Sequence, residues 1–302
     1  MKRTYGIWTR TVSGLLVPTG RMADALTGSK GTYLDMKTRA EEIEALYTED
    51  GVRLPPDSGL GCLIRGAKEL WEHWFLDEAE RLTFEMLLSG LHVLRIAEGL
   101  SSLQAEKDRT RYLRDLLSGT LDFLKREQSS AKNVFWELEV LTRLRKRTTG
   151  VGLVEPPDIV VDHGDLQIGI ACKKLYSERH VQNVLSEAVH QVERGCEFGI
   201  VAVNIDDLVP GSALLCETDF DSLNERLHQI NAEFLRRHDR HFRKYLSKGR
   251  LISVIVSTAV VADICREAPR FNNSYQWLVW TMPGLPEAQQ AALERFYESV
   301  MD

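Results

Sequence analysis

The stretch PDIVVDHGDLQIGIACK, residues 157–173, decides the fold. Its two apolar runs, DIVVDH and LQIGIAC, flank Gly164-Asp165, a turn pair that predicts a β-hairpin. Side chains alternate along a strand, so Ala171 and Lys173 project from one face. Closing the hairpin at 164–165 sets Asp158 opposite Ile170 or Ala171. A carboxylate and an ammonium group from adjacent strands therefore meet at one end of a sheet.

Working outward, the segment KNVFWELEVLTRLRK predicts a helix over 132–146, and a second helix is expected over 178–195. FGIVAVN (198–204) is short, apolar and bounded by polar residues, which predicts a buried central strand. A long polar helix over 219–245, strands over 251–257 and 276–282, and a helix after Pro286 complete the pattern. That alternation defines an α/β fold. Further upstream, Leu87, Leu91 and Leu94, then Leu113, Leu117, Leu121 and Leu124, recur at helical spacing and predict packed amphipathic helices between 66 and 127. Residues 1–60, which include Gly28 and Gly31 of a TGSKG segment, give no assignable element. The chain thus divides into a mainly helical region, 1–130, and an α/β region, 131–302. The helical region is expected to recognise a partner protein, a second copy of the chain (a homo-oligomer) or DNA.

Composition narrows the function. The 302 residues carry 38 basic and 44 acidic side chains, a formal charge of −6, which excludes a general polycation but permits a local basic groove. No apolar run is long enough to span a membrane and the first residues lack a secretory pattern, so a cytoplasmic location is expected. The five cysteines lack zinc-site spacing and are expected to be free, buried thiols. No phosphate-binding glycine loop follows a strand, and no GxSxG is present, which disfavours nucleotide binding and serine-hydrolase chemistry. Arg237, Arg240, Arg243 and Lys244, interleaved with Phe242 and Tyr245, suit contacts to nucleic-acid phosphates, or else form a solvated helix end. Arg145 and Lys146 follow Glu137 by about two turns and either flank the same groove or complement a helix C-terminus.

Pro157-Asp158, twelve residues, then Ala171-Cys172-Lys173 resembles the hairpin of the PD-(D/E)XK nucleases, which in many members ends Glu-Cys-Lys. The resemblance covers about residues 131–205 and implies a restriction-endonuclease-like core, a central mixed sheet flanked by helices. It implies that Asp158 is the principal ligand of Mg²⁺ or Mn²⁺, that the Cys172 backbone carbonyl completes the metal shell, and that Lys173 orients or activates the attacking water. A helix glutamate supports the metal in this family. Glu137 is preferred to Glu139 because it shares a stripe with Val134, Val140, Leu141 and Leu144 at the edge facing the core. Gln191 matches a helix glutamine near the family's site.

Ala171 stands where the family carries an acid. Either the acid has migrated to Glu187, with thirteen residues between it and Lys173 as in a subgroup of restriction enzymes, or an acid has been deliberately replaced by alanine. The implied activity is Mg²⁺-dependent endonucleolytic hydrolysis of DNA, in the manner of bacterial restriction or anti-phage defence effectors. The alternative is a nuclease-fold protein that has lost catalysis and binds nucleic acid or a partner.

Overall fold

The computed structural model describes residues 8–10, 16–18, 31–209 and 214–301. Two short antiparallel strands, β1 (Trp8–Arg10) and β2 (Leu16–Pro18), precede four helices: α1 (Tyr33–Glu49), α2 (Gly59–Phe75), α3 (Phe84–Leu100) and α4 (Arg109–Asp115). Helix α1 and the start of α2 fall in the part of the sequence where no element was expected. The signal was present: Met36, Ala40, Ile43 and Tyr47 form a buried 4-3-4 stripe, and Thr32 and Asp35 make a reciprocal capping box. Gly28 lies outside the described residues. The Leu113–Leu124 spacing is not one helix, because α4 stops at Asp115 and turns carry Leu116 and Leu121 into the same core.

The α/β region begins with α5 (Ser130–Arg145), whose start is capped by the Ser129 hydroxyl. Strands β3 (Val151–Leu153), β4 (Ile159–Asp162) and β5 (Gln167–Lys174) follow. Then come α6 (Val181–Gly195), β6 (Phe198–Asn204), β7 (Leu214–Glu217) and α7 (Phe220–Leu246). Strands β8 (Ser253–Ile264) and β9 (Phe271–Trp280) and helix α8 (Glu287–Met301) end the fold. The predicted hairpin is β4–β5, closed by Asp162 paired with Gln167 and turned at Gly164, which has φ +89° and so favours glycine.

The sheet runs β3-β4-β5-β6-β8, with β9 on the far edge of β8. Since β6 and β9 both pair with residues 254–257 of β8, they occupy its opposite edges, and β7 extends the β6 edge at 261–264. Strands β5, β6, β7 and β8 are parallel, while β4 and β9 are antiparallel to their neighbours, making a mixed sheet. Strands β3 and β7, of three and four residues, were too short for periodicity to reveal. Helices α5 and α8 cover one face through Trp136, Val140, Leu141 and Phe296; α6 and α7 cover the other through Leu185, Ala188, Phe234 and Phe242.

Helix α5 joins the two regions. Trp136, Val140 and Leu144 pack on the sheet, while Ala131, Phe135 and Leu138 enter the core of the N-terminal helices. A buried ionic clamp reinforces this junction: Arg95 of α3 donates to both oxygens of Glu139 at 2.8 Å and to Asp206 at 3.0 Å. Asp206 also accepts from the Ala259 N–H at 2.6 Å. Breaking a buried ion pair leaves charges without compensation, so Arg95→Ala should lower unfolding free energy by about 3 kcal/mol in urea denaturation. A loss below about 1 kcal/mol would show that the clamp adds little to the junction.

Candidate metal centre

Asp158 precedes β4 by one residue. Extending the Ile159–Ile170 register by one step sets it directly across from Ala171. Because β4 begins only at Ile159, the Cys172 N–H has no strand partner on this edge, and it donates instead to Asp158 Oδ2 at 2.6 Å. In an extended strand the C=O of a residue points to the same side as its N–H, so the Cys172 carbonyl is directed toward the Asp158 side. The hydrogen bond fixes the carboxylate at the mouth of the hairpin.

Three of the expected residues come together here. Burial raises the Asp158 carboxyl to about 6, against the lowering influence of the Cys172 N–H and the Lys173 charge. Glu137, on α5, is pushed up to about 8, first by burial and then by the Asp158 charge, with Lys173 opposing. Two carboxyls from different elements are thus both raised by burial beside a single lysine, and the Asp158 charge adds to the rise at Glu137. The Cys172 thiol is raised by burial and by the same two carboxylates, which rules it out as a thiolate.

Sequence reasoning missed the rim of this centre. Arg111 of α4 pairs with Glu155 at 2.7 Å, and both charges act on Glu137. Tyr112 is raised by burial and then by the Glu137 charge. The N-terminal helices therefore reach the site through residues whose spacing carries no chemical signature. Among the described residues no group of three or more His, Cys, Asp or Glu side chains is arranged to hold a metal, so the centre rests on two carboxylates.

Other expected residues lie elsewhere. Glu139 is turned to the clamp, held by Arg95 and Arg143. Glu187 is exposed, because Leu185, Ala188 and Val189 turn the opposite side of α6 to the sheet. Gln191 has a buried Oε1 without a hydrogen-bond partner, one turn before Gly195, where a Cβ would lie 2.7 Å from the Pro156 carbonyl oxygen. Ala171 is fully buried in a cluster with α6, and Gly199 on the neighbouring strand admits the helix closely: a Cβ there would lie 2.0 Å from Val192. An acid at 171 would have to displace this close packing.

Most of the expected nucleic-acid contacts are engaged within the protein. Arg145 donates to the Val151 and Ser102 carbonyls and pairs with Glu106, and Lys146 pairs with Glu98. Arg237 bridges Glu178 and Glu233, and Arg243 pairs with Asp239 at 2.6 Å. Arg240 and Lys244 remain exposed, with Arg240 donating to His241 and Lys244 over the Tyr245 ring. All five cysteines are free, but only Cys172 is buried; Cys62, Cys216 and Cys265 are exposed because they lie on outward-facing helix, strand-edge and loop positions. No helix among the described residues is long and apolar enough to cross a membrane.

No family model, no curated protein and no solved structure matches this chain.

The raised carboxyls predict a pH dependence in metal-free solution. From the ordinary value of 4.5 up to about 8, Glu137 holds its proton more tightly in the folded than in the unfolded chain. Stability therefore falls as pH rises through that window. Glu137→Gln should flatten the fall between pH 6 and 8 in urea midpoints measured with EDTA. An equally steep fall in the variant would mean that other groups produce it.

Proposed function

We propose that this protein is a metal-dependent phosphodiesterase acting on DNA, with Glu137, Asp158 and Lys173 as its working centre. The observation that carries the reading is two carboxyls raised by burial, Glu137 also by the Asp158 charge, beside one lysine at a strand end with the Cys172 N–H and carbonyl alongside. Such a pair lacks enough neighbouring positive charge to be stable as two anions, a deficit that a divalent cation relieves. The donor set fits: Mg²⁺ and Mn²⁺ take hard oxygen ligands and retain waters when only one or two carboxylates are supplied. Glu137, Asp158 and the Cys172 carbonyl would hold the ion. When bound, it lowers the pKa of a water and polarises the phosphoryl group.

The chain's own residues divide the remaining work. The Cys172 amide keeps Asp158 in one orientation. Lys173, on the same strand face as Ala171, orients the attacking water and offers positive charge to the oxygens of the developing phosphorane. Arg240 and Lys244 supply exposed cations for a phosphate backbone. Gln191, with its unpartnered Oε1, is an acceptor for a water at the flank of the hairpin. Glu187 is left outside the centre. Restriction or anti-phage defence in the cytoplasm is the setting in which an enzyme of this kind would act, and it rests on the family resemblance alone.

Incubating the protein with supercoiled and linear DNA, and with RNA, in Mg²⁺ or Mn²⁺ tests the proposal. The expected result is cleavage of DNA that Asp158→Asn and Lys173→Ala each reduce by about 100-fold or more, while Glu187→Ala stays within about threefold of the parent. Cleavage that survives Lys173→Ala would overturn the assignment. DNA binding without cleavage under any metal would favour the second reading, a nuclease-fold binding protein, toward which the close packing at Ala171 already points.

A further inference from the structure

Leu34, Trp74, Phe75, Leu76 and Phe84 are between 44% and 69% exposed, and they gather at one corner of the N-terminal helices. The Trp74 ring meets Tyr33 edge-on at 5.2 Å, Phe75 lies 5.5 Å from Trp71, and Phe84 lies 5.6 Å from Phe271. Tyr33 and Phe271, which Trp74 and Phe84 meet, both pack against one buried cluster built on Met36, Leu70, Leu91 and Leu94. Trp74, Phe75 and Leu76 are consecutive, and Trp74 and Phe84 are tied through Tyr33 and Phe271 to the same cluster; an exposed apolar patch in water is unfavourable unless something covers it.

The patch is held in place. Helix α2 ends with the Glu78 N–H donating to the His73 carbonyl at 2.9 Å and the Asp77 N–H donating to the Trp74 carbonyl. This is a Schellman termination, with Asp77 at the left-handed position, φ +60°, where glycine is the usual occupant. The termination keeps Trp74-Phe75-Leu76 at an ordered helix end and places the Asp77 carboxylate beside them.

The surrounding charge has one sign. Residues 69–85 carry Glu69, Glu72, Asp77, Glu78, Glu80 and Glu85 against a single arginine, Arg81. Among the described residues only Glu78 of these acids is ion-paired, to His73 and Arg81. An isologous contact with a second copy would set this acidic rim against itself. The same rim repels anionic lipid and nucleic acid.

We propose that this corner docks a cationic amphipathic helix of a partner protein: its apolar stripe covers Trp74, Phe75, Leu76 and Phe84, and its lysines or arginines meet Glu72, Asp77, Glu80 and Glu85. The mode is that of a helix lying on an apolar surface with flanking charge setting its specificity. It is separate from the metal centre.

The test uses two labelled amphipathic peptides of about 18 residues, or five helical turns, one of leucine and lysine and one of leucine and glutamate. Fluorescence anisotropy with the full chain should show the leucine–lysine peptide binding at least about tenfold more tightly, with a preference that shrinks as salt is raised. The triple variant Trp74→Ser, Phe75→Ser, Leu76→Ser should weaken that binding by at least about tenfold, while its melting temperature stays within about 2 °C because the side chains are exposed. Asp77→Lys, Glu80→Lys and Glu85→Lys together should transfer the preference to the leucine–glutamate peptide. Absent binding, or equal binding by the triple variant, overturns the proposal. Light scattering that shows a dimer which the triple variant disperses also overturns it, by assigning the corner to a second copy.

Discussion

The hydrogen bond from the Cys172 N–H to Asp158 is the contact on which the candidate centre depends. It exists because β4 starts one residue too late to supply a backbone partner, so a side chain completes the ladder at a strand end. A buried N–H left unpaired would be costly, which makes the bond structurally favourable in its own right. The same bond locks a carboxylate beside Lys173 and within electrostatic reach of Glu137. One contact thus serves strand termination and site construction together.

The remainder of the fold supports that contact from two sides. On one face, α5 presents Glu137 to the hairpin while its opposite side enters the N-terminal core, so the helical region and the site are mechanically linked. Arg95, Glu139 and Asp206 pin this helix to the segment after β6 and the middle of β8, and Arg111 and Tyr112 bring α4 to the rim. On the other face, α6 packs in one cluster with Ala171 and seats closely over Gly199. Ala171 is fully buried in one cluster with Leu185, Ala188 and Val189 of α6, so an acid there would place a carboxyl in an apolar contact. The centre therefore has two carboxylates, and their repulsion is balanced only by Lys173 and the flanking Arg111.

Much of this architecture was legible in the sequence. The hairpin followed from two short apolar runs about a Gly-Asp turn, and its register followed from the turn's position. The order of the later helices and strands followed from periodicity; on α5, Glu137 is acted on by the Asp158 and Lys173 charges, while Glu139 is in the clamp. What failed had physical reasons. Strands β3 and β7 are shorter than any period can establish. Glu187 has the right spacing from Lys173, but spacing along the chain does not fix rotation about a helix axis, and α6 is turned so that Leu185 and Ala188 face inward. The cationic runs looked alike in sequence, yet Arg145 staples a helix end to β3 while Arg240 and Lys244 face solvent, a distinction set by tertiary neighbours. Arg111 and Tyr112 reach the site across more than twenty residues of sequence, beyond any local pattern.

The central claim is that Glu137 and Asp158 share one divalent cation, and electron paramagnetic resonance of Mn²⁺ titrated into the protein at pH 8 tests it most directly. The account predicts loss of the free-ion signal until about one Mn²⁺ is bound per chain, with binding weakened at least about tenfold in both Glu137→Gln and Asp158→Asn. Binding that persists unchanged in both variants, or a free-ion signal that never falls, would contradict it.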